Sequence, residues 1–202
     1  MSMTDRMISA RRDDLPFRLT ICGIPELDAP CAAGVTHVLS ILDPDFDDPP
    51  AFAAFAPHRR LALRFNDIIE PEPGRLAPAQ ADVDRLLGFG RELTEAPDGH
   101  LLIHCHAGVS RSTASAALIL AQAWPHRPAR AVFDAITRIR PRAWPNLRIL
   151  EFGDALLGRD GEIVAAAAGV YRAYLQRDPA FGETMIDSGR GREVSAALGP
   201  VR

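Results

Sequence analysis

The chain has few of the features that mark secreted, membrane-bound or nucleic-acid-binding proteins. Its 202 residues include three cysteines and 6% aromatic residues, and the formal net charge is −3. Because a slightly acidic chain lacks the basic footprint that nucleic acid requires, we predict no nucleic-acid partner. The longest apolar stretches, 113–124 and 163–171, are too short to cross a bilayer, so we also predict no membrane partner.

The cysteines are too few and too irregularly spaced for a disulfide framework or a metal site. Cys22, Cys31 and Cys105 show no metal-ligand spacing, so we predict no metal. Residues 1–15 are polar and charged and lack the apolar centre of a secretory signal, which favours the reducing cytoplasm. A disulfide between Cys22 and Cys105 would protect an oxidised Cys105, but a buried cysteine is more often an inert packing residue.

The most informative stretch is the segment 104–112, with the sequence HCHAGVSRS. The apolar residues before it are typical of a buried strand, and residues 112–120 after it are typical of a helix. A loop that enters a helix N-terminus points backbone N–H groups and the positive end of the helix dipole into one concavity. The segment therefore predicts a phosphate-binding loop.

The residue types of this loop suit phosphate chemistry. Cys105 is a candidate nucleophile, because the positive surroundings favour its thiolate. Arg111 has a planar fork that matches two phosphate oxygens, and Gly108 permits a tight turn. Ser112 can donate a hydrogen bond to the Cys105 sulfur and help it leave. We predict that the substrate phosphate is bound by His106, Ala107, Gly108, Val109, Ser110 and Arg111.

The segment begins with His104-Cys105 and, after five further residues, ends with Arg111-Ser112. This order resembles the signature of the cysteine-dependent protein tyrosine phosphatase superfamily. The histidine, the central Ala-Gly and the Ser-Thr that follows are most similar to its dual-specificity branch. The resemblance implies an α/β fold with a central, mostly parallel sheet of four to five strands flanked by helices, and with the phosphate loop between a strand and a helix N-terminus. It also implies a phosphocysteine intermediate. Because arginine and amides supply the positive field, no cofactor is expected.

The resemblance implies an upstream aspartic acid that protonates the leaving oxygen. Asp67 follows the alternating strand 61–65, at a distance from Cys105 similar to the family's. Such a carboxyl contributes ~10²–10⁴-fold to the rate. An ordinary aspartate in a turn at a strand end is the other interpretation of Asp67, and Glu70 and Glu72 are the next candidates for the acid.

Two residues are predicted to support the site. His104 precedes the cysteine, and Asn146 belongs to a Pro-Asn pair that many dual-specificity enzymes carry. Ile149 and Phe152 then stand where the family pattern has phenylalanine and glutamine. The resemblance therefore does not identify the residue that positions the attacking water in the hydrolytic step. A basic cluster nearby either holds acidic groups of the substrate or forms a solvated helix edge; it comprises Arg138, Arg140, Arg142 and Arg148.

The whole chain is predicted as one domain between two flexible ends. We expect a flexible segment at 1–14, a phosphatase domain at 15–175, and a tail at 176–202 that is flexible or ordered only against a partner. Residues 43–50 carry four aspartates, but they lack calcium-loop spacing and are interpreted as a solvated loop.

The predicted substrate is phosphotyrosine in proteins, with phosphoserine and phosphothreonine added if the pocket is shallow. The variable loop positions carry no lysine, whereas family members that act on phosphoinositides often do. Several alternatives stay open: a phosphate-binding module without turnover, a phosphatase for a small non-protein monoester, and a rhodanese-like sulfurtransferase or arsenate reductase. The oligomeric state is not predicted.

Overall fold

The computed structural model describes residues 15–28, 34–96 and 98–199. Four strands form one parallel sheet in the order β1-β4-β2-β3. Their bounds are Arg18–Gly23 for β1, His37–Leu42 for β2, Arg59–Arg64 for β3 and His100–Cys105 for β4. Every residue of the two central strands is buried, which is why both carry nearly continuous apolar runs. The predicted α/β fold with a parallel sheet is confirmed.

Seven helices are found in the described part of the chain. They are α1 Gln80–Glu95, α2 Arg111–Ala123, α3 Ala129–Ile139, α4 Leu147–Leu156, α5 Glu162–Arg177, α6 Ala180–Asp187 and α7 Gly191–Leu198. The large core lies between these helices and one face of the sheet, and α2 crosses its centre. On the other face, a small cluster around Val38 and Leu102 is covered by the short 3-10 turn Pro50–Ala54. None of the described helices has the length and apolar character needed to cross a membrane.

The C-terminal region differs from the prediction. The sequence predicts a tail at 176–202 that is flexible or ordered only against a partner, whereas in its described part α5 continues to Arg177 and both α6 and α7 pack on the domain. Met185 of α6 and Val194 of α7 are buried in the main core. The buried carboxylate of Glu193 also accepts hydrogen bonds from the N–H of Leu147 (3.0 Å) and the indole of Trp144. These long-range contacts are invisible in the local composition. The predicted flexible segment 1–14 lies outside the described residues.

Candidate active site

Cys105 ends the central strand β4, at the edge of the sheet where the carboxyl ends of all four strands meet. Ligands in open parallel sheets bind at this edge. The residue is only 2% exposed, and Gly23 of β1 lies beside it in register. Its Sγ lies 3.3 Å from Oγ of Ser112, on the first turn of α2. The structure therefore places Ser112 where it can donate a hydrogen bond to a thiolate.

The loop between β4 and α2 has its carbonyl groups tied to the surrounding protein. The carbonyl of His106 accepts a hydrogen bond from the N–H of Ile24 (2.9 Å), and those of Ala107 and Gly108 accept from the Arg140 guanidinium (2.8 and 3.0 Å). The carbonyl of Val109 accepts from the N–H of Trp144 (2.9 Å), and that of Ser110 accepts from the N–H of Ala114 (3.0 Å). Every peptide bond in the described residues is trans, so each C=O and the following N–H point in opposite directions. The N–H groups of residues 107–111 therefore face the inner side of the loop, where an anion can bind.

Two features hold this loop in shape. Gly108 has a φ of +68°, and a Cβ added there would lie 2.4 Å from the carbonyl carbon of Cys22, so only glycine fits. Arg140 donates to two loop carbonyls and also forms a bidentate pair with Glu26, at 2.7 Å for both bonds. This member of the predicted basic cluster therefore braces the outside of the loop.

Arg111 is almost fully buried and is oriented through one of its nitrogens. Its Nη1 donates to Oδ1 of Asp43 (2.6 Å) and to the carbonyl oxygen of Phe65 (2.7 Å). The Nε is also buried, and it has no hydrogen-bond partner within the described residues. An unpaired buried donor is costly, and a guanidinium commonly binds a phosphate through two parallel N–H bonds. The guanidinium is thus held at Nη1 while Nε stays available.

Asp43 is a residue of the site that sequence patterns do not single out. The sequence predicts a solvated loop at this position, yet Asp43 directly follows β2 and contacts Arg111. Its position at the carboxyl end of a central parallel strand was the signal that could have found it. The Asp43 carboxylate also lies 3.5 Å from Nε2 of His106, and burial together with Arg111 lowers the pKa of that histidine.

Asp67 lies beside the phosphate loop, and three donors converge on its Oδ1. They are Oγ of Ser110 (2.7 Å), Nδ2 of Asn146 (2.8 Å) and Nη1 of Arg190 (3.3 Å). Burial raises the pKa of Asp67. The Arg190 and Arg111 guanidiniums and the two neutral hydrogen bonds outweigh this effect and hold the pKa below its usual range. Asp67 is therefore a carboxylate in the free protein at neutral pH.

The two fallback acids are paired away from the loop. Glu70 contacts Arg192 of α7, and Glu72 contacts Arg75 at 3.0 Å. Asn146, by contrast, joins the site to α4, because its Oδ1 accepts from the N–H of Ile149 (3.1 Å) while its Nδ2 donates to Asp67. Of the three candidate acids, Asp67 is the one that contacts a loop residue.

His104 and Cys22 lie behind the site and are uncharged. His104 is fully buried and its Nε2 lies 2.6 Å from Oγ of Ser40; burial lowers its pKa to about 4. Burial, followed by the charge of Glu26, raises the pKa of Cys22 to about 12. Cys22 faces His104 across the β1–β4 pair and is a free thiol in the structure. Cys31 lies outside the described residues.

An open cleft of about 620 Å³ borders the loop. It is lined by Asp43, Pro44, Asp45, Phe46, Asn66, Gly74, Arg75 and Leu76. Two large apolar side chains line it while staying accessible, since Phe46 is 42% and Leu76 55% exposed. The Phe46 ring lies 4.5 Å from the ring of His106, which joins this apolar wall to the phosphate loop. Within the described residues, no group of three or more His, Cys, Asp or Glu could hold a metal ion.

Comparison with known proteins shows the fold. No protein-family model and no curated protein matches the chain. Among solved structures, human DUSP28 is 17% identical, with a TM-score of 0.53 and coverage of 70% of this chain and 94% of its own. A mouse putative dual specificity phosphatase, complexed with zinc tungstate, is 15% identical, with a TM-score of 0.55 and coverage of 82% and 96%. PTPMT1 in complex with PI(5)P is 16% identical, with a TM-score of 0.50 and coverage of 70% and 94%.

These likenesses confirm the dual-specificity phosphatase fold that the resemblance implied. The chain spans nearly the whole length of each of these structures. What the chain does with that fold is a separate question, which its own site geometry addresses.

Proposed function

We propose that this protein is a cysteine-dependent phosphatase that hydrolyses phosphomonoesters through a phosphocysteine, with phosphotyrosine in proteins as its substrate. One observation carries the proposal. The carbonyls of residues 106–110 are bound outward, so the loop amides face inward between the Cys105 thiol and the buried Arg111 guanidinium. A nucleophile inside a ring of anion-binding donors is what phosphoryl transfer needs, since that reaction depends on positioning and charge stabilisation.

In the first step, the loop amides and Arg111 bind the phosphate. The thiolate of Cys105 attacks phosphorus, an S–P bond forms and the P–O bond to the leaving group breaks. Asp67 gives its proton to the leaving oxygen. Asp67 is ionised in the free protein, but the negative charge of an incoming phosphate raises the proton affinity of a neighbouring carboxylate. Substrate binding therefore favours the protonated acid that this step requires.

In the second step, water attacks the phosphocysteine. The S–P bond breaks, the Asp67 carboxylate takes the proton from the water, and inorganic phosphate leaves. Ser112 stabilises the departing thiolate, because its Oγ lies 3.3 Å from Sγ and can donate to it. The cycle ends with the thiolate restored.

The cleft favours an aromatic phosphate ester. Phe46 and Leu76 supply an exposed apolar wall beside the loop, and the same cleft is also lined by Asp43, Asp45 and Arg75. A flat ring gains from contact with an aromatic wall. A phosphoinositide head group carries several further negative charges, and the one cation in the described lining of the cleft, Arg75, is already paired with Glu72. Phosphotyrosine therefore fits the cleft better than a lipid head group.

The main alternative is a phosphate-binding module without turnover. The phosphatase fold alone does not decide between the two, but the residues at the site favour catalysis. A binding module needs the loop amides and Arg111, whereas it has no use for a thiol beside a hydroxyl or for a carboxyl held against the loop. The presence of Cys105, Ser112 and Asp67 together therefore favours catalysis.

The first test is hydrolysis of p-nitrophenyl phosphate in reducing buffer with a metal chelator. Wild type should turn over, Cys105→Ser should be inactive, and Cys22→Ser, which alters a buried cysteine on the adjacent strand, should keep its activity. Tungstate should still raise the melting temperature of Cys105→Ser, because the loop amides and Arg111 remain. No turnover by wild type, with tungstate still bound, would instead identify a binding module.

Substrate class is tested with matched phosphopeptides and a phosphoinositide. Phe46→Ala should raise KM for the phosphotyrosine peptide by about 2- to 10-fold, as expected from the ~0.5–1.5 kcal/mol of an aromatic contact. Leu156→Ala removes a similarly exposed apolar side chain on α4 and should change nothing. Faster hydrolysis of the phosphoinositide than of the phosphotyrosine peptide would refute the substrate proposal.

A further inference from the structure

The C-terminal helix α7 contacts the loop that carries Asp67 at two points. Nη1 of Arg190, which directly precedes α7, donates to Oδ1 of Asp67 at 3.3 Å. Two residues later, Arg192 pairs with Glu70. The same segment is anchored to the domain by buried apolar residues of α6 and α7. A region far from the phosphate loop in sequence therefore meets the acid loop directly.

Arg190 is fixed in one orientation. It is 6% exposed, and its Nε and Nη2 donate to the two carboxylate oxygens of Glu193 at 2.9 and 2.7 Å. Glu193 is fully buried and accepts from the N–H of Leu147 as well. A bidentate pair of this kind restricts the guanidinium plane. Nη1 is consequently held toward Asp67.

We propose that Arg190 is a positioning residue for the general acid, which makes α7 part of the catalytic site. This inference rests on the proposed phosphatase function. Three donors bind Oδ1 of Asp67: Ser110 from the phosphate loop, Asn146 from the start of α4 and Arg190 from the start of α7. With Oδ1 occupied, Oδ2 is the oxygen that carries the proton to the leaving group. Only Arg190 among the three adds a full charge.

This arrangement has a consequence for pH dependence. A cation beside Asp67 favours the carboxylate, so the protonated acid is populated at acidic pH and lost as the pH rises. The other groups that act on Asp67 stay in place when Arg190 is replaced. They are Arg111 with its partner Asp43, the hydroxyl of Ser110, the amide of Asn146, and at longer range His106 and Tyr171. Removing the Arg190 charge should therefore raise the pKa of Asp67 and move the alkaline limb of the plot of kcat/KM against pH to higher pH.

The experiment compares kcat/KM against pH for phenyl phosphate, whose leaving group needs an acid, in wild type and three variants. Arg190→Gln should shift the alkaline limb upward and lower the plateau by about tenfold, because small misplacement of a catalytic group is costly. Arg190→Lys, which keeps the charge, should have its alkaline limb at the same pH as wild type. Arg177→Gln, which removes an exposed arginine at the end of α5, should leave the profile unchanged. An unshifted limb in folded Arg190→Gln, or an equal shift in Arg177→Gln, would overturn the proposal.

Two additions keep the test decisive. If Arg190→Gln fails to fold because Glu193 is left as a buried unpaired charge, the double variant Arg190→Met/Glu193→Gln removes both charges and should shift the limb in the same direction. A ¹³C NMR titration of the Asp67 carboxyl follows its ionisation without any turnover. If wild type is inactive, the phosphatase proposal fails, while the NMR comparison of wild type and variant still supports or refutes the role of Arg190.

Discussion

Replacing Gly108 with alanine should disable the phosphate loop for two separable reasons. The first is backbone conformation: Gly108 has a φ of +68°, where an L-residue costs about 1–2 kcal/mol. The second is space. A Cβ at this position would lie 2.4 Å from the carbonyl carbon of Cys22 and 2.6 Å from the backbone nitrogen of Gly23, and backbone atoms of a buried strand cannot rotate aside.

The two contributions can be measured apart with Gly158→Ala as a matched control. Gly158 has a φ of +62°, and a Cβ there would meet nothing within 4 Å, so this variant carries the conformational cost alone. We expect Gly158→Ala to lose about 1–2 kcal/mol of stability and no activity. Gly108→Ala should lose a further ~1–3 kcal/mol, as is typical of overpacking. It should also lose most of its turnover, because the loop must move off β1.

The assays are urea unfolding, p-nitrophenyl phosphate hydrolysis and tungstate-induced thermal stabilisation on both variants. Gly23→Ala adds a third case, in which φ is ordinary but a Cβ would lie 2.8 Å from the carbonyl oxygen of His106. It should impair activity without the left-handed penalty. If Gly108→Ala behaved like Gly158→Ala in all three assays, the close packing of the loop on β1 would not be what shapes the anion site.

Three further outcomes follow from the contacts of single residues. Asp67→Asn should slow hydrolysis of phenyl phosphate by ~10²-fold or more, but barely slow a substrate with a good leaving group; equal slowing of both would place the acid elsewhere. Asp43→Ala should lower kcat/KM by about 10- to 150-fold, in line with the ~1.5–3 kcal/mol of a charged hydrogen bond, because Arg111 loses the partner that orients it; exposed Asp47→Ala is the control, and an equal loss there would contradict the assignment. The pKa of His104 is about 4 against 6.5 when unfolded, so the unfolded chain binds more protons in this window and stability falls as pH drops through it. In urea unfolding, wild type should therefore lose about 2 kcal/mol more than His104→Gln between pH 7 and pH 4.5, and equal losses would refute a buried neutral histidine.

The parts of the fold that local patterns specify were predictable from the sequence. The run 101–103 is continuous and apolar because β4 lies between two strands and is buried on both faces. The tight spacing from Cys105 to Arg111 leaves room only for a loop, and α2 begins at Arg111. Asp67 was also predictable as a candidate, since it closely follows the strand β3 and sits at the carboxyl edge of the sheet.

The residues that were missed are joined to the site by contacts distant in sequence. Asp43 was hidden in an aspartate-rich loop, and its partner Arg111 lies far along the chain. Arg190 was assigned to a flexible tail, because glycine and arginine around it show no periodicity. What orders that tail is a buried ion pair with Glu193 and a few apolar contacts, neither of which a composition window detects. Arg140 was considered as a substrate-binding cation, whereas its hydrogen bonds go to loop carbonyls.

The pairing of charges around the loop explains why its backbone geometry matters so much. Each guanidinium near the site has a carboxylate partner: Arg111 with Asp43, Arg140 with Glu26, and Arg190 with both Asp67 and Glu193. The chain as a whole is slightly acidic, so long-range attraction for a phosphate is weak. The proposed phosphate binding therefore relies on donors within contact distance, namely the inward-facing amides and the Nε of Arg111, which has no partner within the described residues. The amides keep that orientation only while the loop carbonyls stay bound to Arg140 and β1 stays in contact with Gly108.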